Sequence, residues 1–111
     1  MGENTAKGIV TAFIEKAKKE RFQGLDEFET KRSQRKAVRT QLSKNTNHLQ
    51  NAIDAPTPCI HTIKVIEEKV TKSLKELTES DEYIWSFISH YNDDAAVDAD
   101  ELLGNKWYSN T

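Results

Sequence analysis

Both prolines of this chain fall in one six-residue stretch at its middle, DAPTPC (54–59). Proline removes a backbone donor and clashes with the preceding turn, and it biases its predecessor toward extended backbone. No helix can run through this stretch. Whatever folds on either side must turn back here or diverge.

The second half carries a strong period. Positions 60, 63, 67, 70, 74, 77, 81, 84, 88 and 91 are Ile60, Ile63, Glu67, Val70, Leu74, Leu77, Asp81, Ile84, Ile88 and Tyr91. Steps alternate between three and four, and only Glu67 and Asp81 interrupt the apolar run. This is a heptad seam. It predicts one long helix over 58–91, about 50 Å long at ~1.5 Å per residue. Thr57 is the expected N-cap, with Pro58 at the first helical position. The stretch TESDE (78–82) also has the spacing of a new helix start, and a bend there is the alternative to a straight helix.

The first half carries a weaker seam through Phe28, Arg35, Val38, Leu42, Asn45, Leu49 and Ala52. It predicts a helix over 26–53 with Asp26 as N-cap. Upstream, Ile9, Val10, Phe13, Ile14 and Ala17 share one face of an amphipathic helix over 4–22, ending near Gly24. Residues 92–111 are rich in Asp and Glu and are expected to form an acidic tail. The predicted fold is all-α: one helical domain over 1–111, built on a long, coiled-coil-like antiparallel hairpin with an added N-terminal helix. IWSFISHY (84–91) is expected to pack under that helix, against Phe13, Ile14 and Phe22.

Charge supports the hairpin. The net charge is −2, but residues 1–53 carry +5 and residues 54–111 carry −7. Folding the two long segments together places Lys31 near Asp81, Arg32 near Ser80 and Glu79, and Arg35 and Lys36 near Leu77 and Glu76. The same alignment sets Phe28 by Ile84 and Trp85, and Leu42 and Leu49 by Val70 and Ile63. Exposed ion pairs contribute only ~0–1 kcal/mol each, whereas a buried aliphatic side chain contributes ~1.5–3 kcal/mol. The core seam of Ile63, Val70, Leu74, Leu77, Ile84 and Ile88 should hold the hairpin, and the charges should select its alignment.

Chemistry is sparse. The single cysteine, Cys59, excludes an internal disulfide. His48, His61 and His90 lack metal-ligand spacing. Adjacent carboxylates such as Glu67–Glu68 lie on solvated helix faces with no apolar pocket to shift them. The four glycines form no phosphate loop. No enzymatic activity and no cofactor are expected. Nothing is long and apolar enough to span a membrane, and no signal-peptide core appears. The start, MGENTA, misses the myristoylation pattern because Ala6 stands where Ser or Thr is needed. Lys16, Lys18, Lys19 and Arg21 beside the apolar face of 5–22 leave peripheral membrane attachment as a minor option. The expected setting is intracellular and cytoplasmic.

The string KRSQRKAVRTQLSKNTNHLQNAI, a short break, IKVIEEKVTKSLKELTESDEYI and an acidic end together resemble the N-terminal helical segment of Gag-like polyproteins of BEL/Pao-type retrotransposons. The resemblance covers about residues 28–101. It rests on Arg32, Arg35, Val38, Arg39, Leu42, Asn47 and Leu49, and on Ile63, Ile66, Glu67, Leu74, Leu77, Asp81 and Ile84. It implies a structural element of a capsid-forming precursor rather than a catalyst. No Cys-x-x-Cys knuckle, Asp-Thr/Ser-Gly motif or polymerase accompanies it, so a stand-alone or partial derivative is implied.

A non-enzymatic helical interaction or assembly module is therefore expected, acting through self-association or a protein partner. Trp85, Trp107 and Tyr108 are the candidate partner anchors, since Trp and Tyr dominate interface hot spots. The alternative is a small nucleic-acid-binding protein using the basic face of Lys31, Arg32, Arg35, Lys36, Arg39 and Lys44. That face lacks the interleaved aromatics of a single-strand platform.

Overall fold

The computed structural model describes residues 2–109. Among them the fold is all-α, with α1 over Glu3–Lys19, α2 over Leu25–Asp54, α3 over Ile60–His90 and α4 over Asp94–Ser109. The molecule is flat and elongated, with Cα extents of 57 × 28 × 15 Å. Its spine is the antiparallel pair α2 and α3, which turns at the proline stretch. α1 and α4 pack on each other and cover the spine only at the end away from the prolines. That closed end and the bare prolyl end are called proximal and distal below.

α3 is continuous through 78–82. Asp81, on its seam, is 1% exposed, so the TESDE stretch is helix interior rather than a boundary. α3 starts later than the sequence suggests. Cys59 is its N-cap, in extended backbone, and its carbonyl accepts the Ile63 N–H at 3.0 Å. Thr57 and Pro58 stay outside, so the Thr57 cap expected from sequence does not form. α2 also starts one residue early, with Gly24 as N-cap. Gly24 sits at φ 84°, in the left-handed region that glycine enters without strain.

Of the acidic tail expected over 92–111, residues 94–109 form α4; Asn92 and Asp93 precede it, and residues 110 and 111 lie outside the described residues. The Asp93 carboxylate accepts the Ala96 N–H at 3.1 Å, an N-cap bond, and Asp94 adds negative charge to the positive end of the helix dipole. Ala96 and Ala99 on its inner face are fully buried. These small side chains let α4 approach closely but give little apolar signal in the sequence.

The core has three parts. Phe13, Phe28, Ile84, Ile88 and Ala96 pack together where α1 and α4 meet the spine. Phe28 stacks on Phe87 with ring centroids 4.3 Å apart, and Phe22 stacks on Tyr91 at 3.8 Å. IWSFISHY thus lies beside Phe13, Ile14 and Phe22. Ala6, Val10 and Ala99 join α1 to α4. Leu42, Val70 and Leu77 form the third part, with Leu74 half-buried beside them. Ile63, further toward the prolines, is half-buried. Burying Phe28, Leu42, Leu77, Ile84 and Ile88 contributes ~1.5–3 kcal/mol each.

α1 ends in a Schellman turn. The Phe22 N–H reaches the Ala17 carbonyl at 3.0 Å, and the Arg21 N–H reaches that of Lys18 at 3.4 Å. The left-handed position of this turn is held by Arg21 at φ 53°, where glycine is usual. A side chain there costs ~1–2 kcal/mol, partly offset by the looser unfolded chain that glycine brings. Arg21→Gly should therefore raise stability by about 0.5–1 kcal/mol, a few degrees in Tm. Lys7→Gly, inside α1, should lower it by about 1 kcal/mol. Thermal melts followed by circular dichroism check both signs.

Candidate functional site

Arg32, Arg35 and Arg39 recur at steps of three and four, so they share one stripe of α2. That stripe faces α3 and α4. Arg35 is 4% exposed. Its guanidinium donates through Nη1 to Asp81 Oδ1 on α3 at 3.0 Å. On α4 it grips Asp100 with two bonds, Nη1 to Oδ2 at 2.6 Å and Nη2 to Oδ1 at 2.8 Å. Such a two-pronged Arg–carboxylate pair fixes geometry as well as charge. The Trp85 indole N–H donates to Asp100 Oδ2 at 2.7 Å, and the Tyr108 hydroxyl donates to Asp81 Oδ2. Arg39 approaches Asp81 at 3.8 Å and lies 4.1 Å over the Trp107 ring, a cation–π contact. Gly104 makes room for it: a Cβ there would stand 3.1 Å from Arg39 Nη2.

The electrostatics follow. Burial would raise the Asp100 carboxyl, but the hydrogen bonds and charge of Arg35 and the Trp85 N–H outweigh it and hold it below the usual carboxylate range. Burial pulls Arg35 down, and the bonds and charges of Asp100 and Asp81 more than reverse this. Arg32 and Arg39 are lowered, first by burial and then by the neighbouring Arg35 charge. The Nε atoms of Arg32 and Arg39 are buried without a hydrogen-bond partner. Burial and the bond to Asp81 push the Tyr108 hydroxyl up to about 12.

This arrangement corrects the charge alignment drawn from sequence. Arg35 meets Asp81 and Asp100, not Leu77 and Glu76. Glu76, Glu79 and Glu82 remain exposed. Lys31 lies over the Tyr83 ring, 5.5 Å from its centroid, rather than beside Asp81. The six-cation face is also divided: Arg35 and Arg39 turn inward, while Lys36 and Lys44 stay exposed. The candidate anchors Trp85, Trp107 and Tyr108 are half-buried and engaged within the fold. The sequence did contain a signal for the Arg35–Asp81 pair. Both sit on the seam of their helices, and opposite charges at seam positions of paired helices need each other.

Past Trp107 and Tyr108 the same groove runs on toward the prolines with nothing above it among the described residues. It is lined by Thr46, Leu49, Gln50 and Ile53 on α2 and by Glu67, Val70, Thr71 and Leu74 on α3, so that apolar and polar side chains alternate along it. Helical phase shows that this is the α4 groove continued. Eighteen residues make five turns, so Ile53 lies on the face of Arg35, and Val70 on that of Ile88. Ile53 is 47% exposed and Ile60, at the tip, 70%. Cys59 is exposed beside it, its thiol drawn below the usual range by hydrogen bonds from Thr62 and the His61 N–H. No group of three or more His, Cys, Asp or Glu among the described residues could hold a metal ion, and no helix there is long and apolar enough to cross a membrane.

No family model matches this chain, and no curated protein or solved structure is significantly similar to it.

Removing one partner of a buried ion pair strands the other, at ~3–5 kcal/mol. Arg35→Ala should therefore destabilise the fold by that amount, and Lys36→Ala, one residue on, by less than about 0.5 kcal/mol; urea denaturation separates them. The pair also sets a pH window. A carboxyl lowered by folding stabilises above its unfolded value of ~3.9 and loses that contribution as pH falls further. A tyrosine raised by folding stabilises below its unfolded value of ~10 and loses that contribution as pH climbs toward 12. Melting temperature should fall below about pH 4 and above about pH 10. Tyr108→Phe should remove part of the alkaline limb only.

Proposed function

We propose that this chain is a non-enzymatic helical interaction module whose working surface is the open distal groove. One observation carries this: α4 fills the proximal half of the α2–α3 groove, and among the described residues nothing covers the distal half, where Leu49 is half-buried and Ile53 and Ile60 are exposed. Amphipathic helices dock into such grooves through apolar anchors at steps of three and four. The surface anchors are Leu49, Ile53 and Ile60, in place of Trp85, Trp107 and Tyr108. A Gag-like structural role, which the sequence resemblance suggests, is compatible with a helical assembly surface of this kind. Nucleic-acid binding is the less supported reading, because Arg35 and Arg39 are committed to Asp81, Asp100 and Trp107.

A photo-crosslinking amino acid at position 53, in cells expressing the chain, should yield covalent adducts with protein. The same group at position 36, on the basic side, should yield far fewer. Nucleic-acid adducts from position 36, or no protein adduct from position 53, would reject the interaction-module reading.

A further inference from the structure

We infer that the end of α4 is a strap that gates the groove: a partner helix docks by displacing Trp107 and Tyr108 and by offering an aromatic ring of its own to Arg39. This rests on the interaction-module reading and adds the regulation of its surface and the chemistry of its partner.

The first observation is a shared floor. Leu49, Val70 and Leu74 line the open distal groove. The same three belong to the cluster around Leu42, Val70 and Leu77 on which Trp107 and Tyr108 pack. The open groove and the seats of the two aromatics are therefore one surface, and the chain's own tail occupies part of it.

The second is length. From Thr46 to Ile53 the open part of α2 runs ~11 Å, at ~1.5 Å per residue. Thr46, Gln50, Glu67 and Thr71 take up much of that span, so it offers few apolar seats. A groove-bound helix needs a series of apolar anchors at steps of three and four. One turn further toward the proximal end the floor becomes Leu42 and Leu77, and there Trp107 and Tyr108 already sit. A helix gains those seats by lifting the strap.

The third is how the strap is held. Gly104 precedes it inside α4, and glycine in a helix interior weakens the helix relative to alanine. A Cβ at Gly104 would stand 3.1 Å from Arg39 Nη2. The residue that admits the Arg39–Trp107 contact thus also loosens the helix that leads to it. The two-pronged Arg35–Asp100 grip lies before Gly104 and stays in place when the strap lifts. Asp81 likewise keeps its bond to Arg35 when Tyr108 leaves, so neither buried carboxylate is stranded. The Arg39 side chain is 15% exposed, and its Nε is buried without a hydrogen-bond partner. Burial and the neighbouring Arg35 charge both act against the Arg39 cation. Opening returns it to water, which offsets part of the lost contact. The same position constrains the replacement. A helix covering Arg39 with aliphatic groups alone would bury a cation and offer it nothing, whereas an aromatic side chain restores the cation–π contact.

Fluorine NMR of the full chain carrying 5-fluorotryptophan tests the strap, because Trp85 and Trp107 are the two tryptophans. Trp85 is tied to Asp100 and serves as the internal reference. Relaxation dispersion should show Trp107 exchanging with an open state of roughly 1–10% and Trp85 static. Tyr108→Ala should move the Trp107 resonance toward its urea-unfolded position and leave Trp85 in place. The aromatic anion 8-anilinonaphthalene-1-sulfonate should bind Tyr108→Ala at least tenfold more tightly than wild type, and Leu49→Asn added to that variant should remove the gain. Octyl sulfate, an aliphatic anion, should gain less than twofold. A photo-crosslinking group at position 53 should give at least fivefold more protein adduct in the Tyr108→Ala chain. A Trp107 as static as Trp85 overturns the strap, as does a Tyr108→Ala chain that shifts both tryptophans together or binds the dye no better. An equal gain by octyl sulfate overturns the aromatic partner. If position 53 captures protein equally in both chains, the interaction-module reading stands and the gating fails. No adduct from either chain rejects both.

Discussion

The buried contact of Arg35 with Asp81 and Asp100 is the constraint on which the architecture depends. It is one place where α2, α3 and α4 all meet through directed bonds. The apolar seam would hold α2 against α3 without it. α4 is a different case. Its inner face is Ala96, Ala99 and Gly104, with Leu103 partly buried, and such small side chains bury little apolar area. What seats α4 in register is Asp100 under Arg35, Tyr108 on Asp81 and Trp107 beneath the Arg39 guanidinium. Pairing in a low dielectric roughly balances the loss of water for such ions, so their net contribution to stability is small. Their contribution to position is large, because any slip of α4 along the groove would strand the buried Asp100 carboxylate and take from Arg35 the two bonds it makes there.

The hairpin was legible because two strong signals agree. The paired prolines break the chain once, and the seam from Ile60 to Tyr91 has long, even periodicity. What the sequence obscured is instructive in each case. α4 was hidden because its helix-forming logic is an Asp93 cap and small buried residues, while its acidity suggests solvation. Asp100 is in fact 3% exposed, since Arg35 neutralises it. The basic run was legible as internally paired, but its partners were misplaced. The register read from sequence was off by about three residues: Phe28 meets Phe87, Lys31 meets Tyr83 and Arg35 meets Asp81, so the longer proline turn sets Asp81 directly across from Arg35. The ends of helices were the least legible: Cys59, not Thr57, caps α3, and it does so without the side-chain bond that makes an N-cap readable in sequence.

Asn45 interrupts the same seam on the distal side in a different way. It is 6% exposed and accepts a hydrogen bond from the Gln41 side chain one turn earlier. That bond lies within α2, so it is made whatever the alignment of the helices, whereas the Arg35–Asp81 pair forms only when α2 and α3 stand in this register.

The two halves of one groove therefore have opposite characters. At the proximal end the walls carry three arginines, and the chain closes the groove itself with a helix that brings the matching acid. At the distal end the walls mix Leu49, Ile53, Val70 and Leu74 with Thr46, Gln50, Glu67 and Thr71, and nothing within the described residues covers them. Two helices alone bury too little surface to be stable without help. Among the described residues the distal arm has no third helix, so it draws its order from the proximal core through continuous α2 and α3. An arm built this way can stay folded while leaving an apolar face exposed, because its stability comes from one end and its binding surface lies at the other.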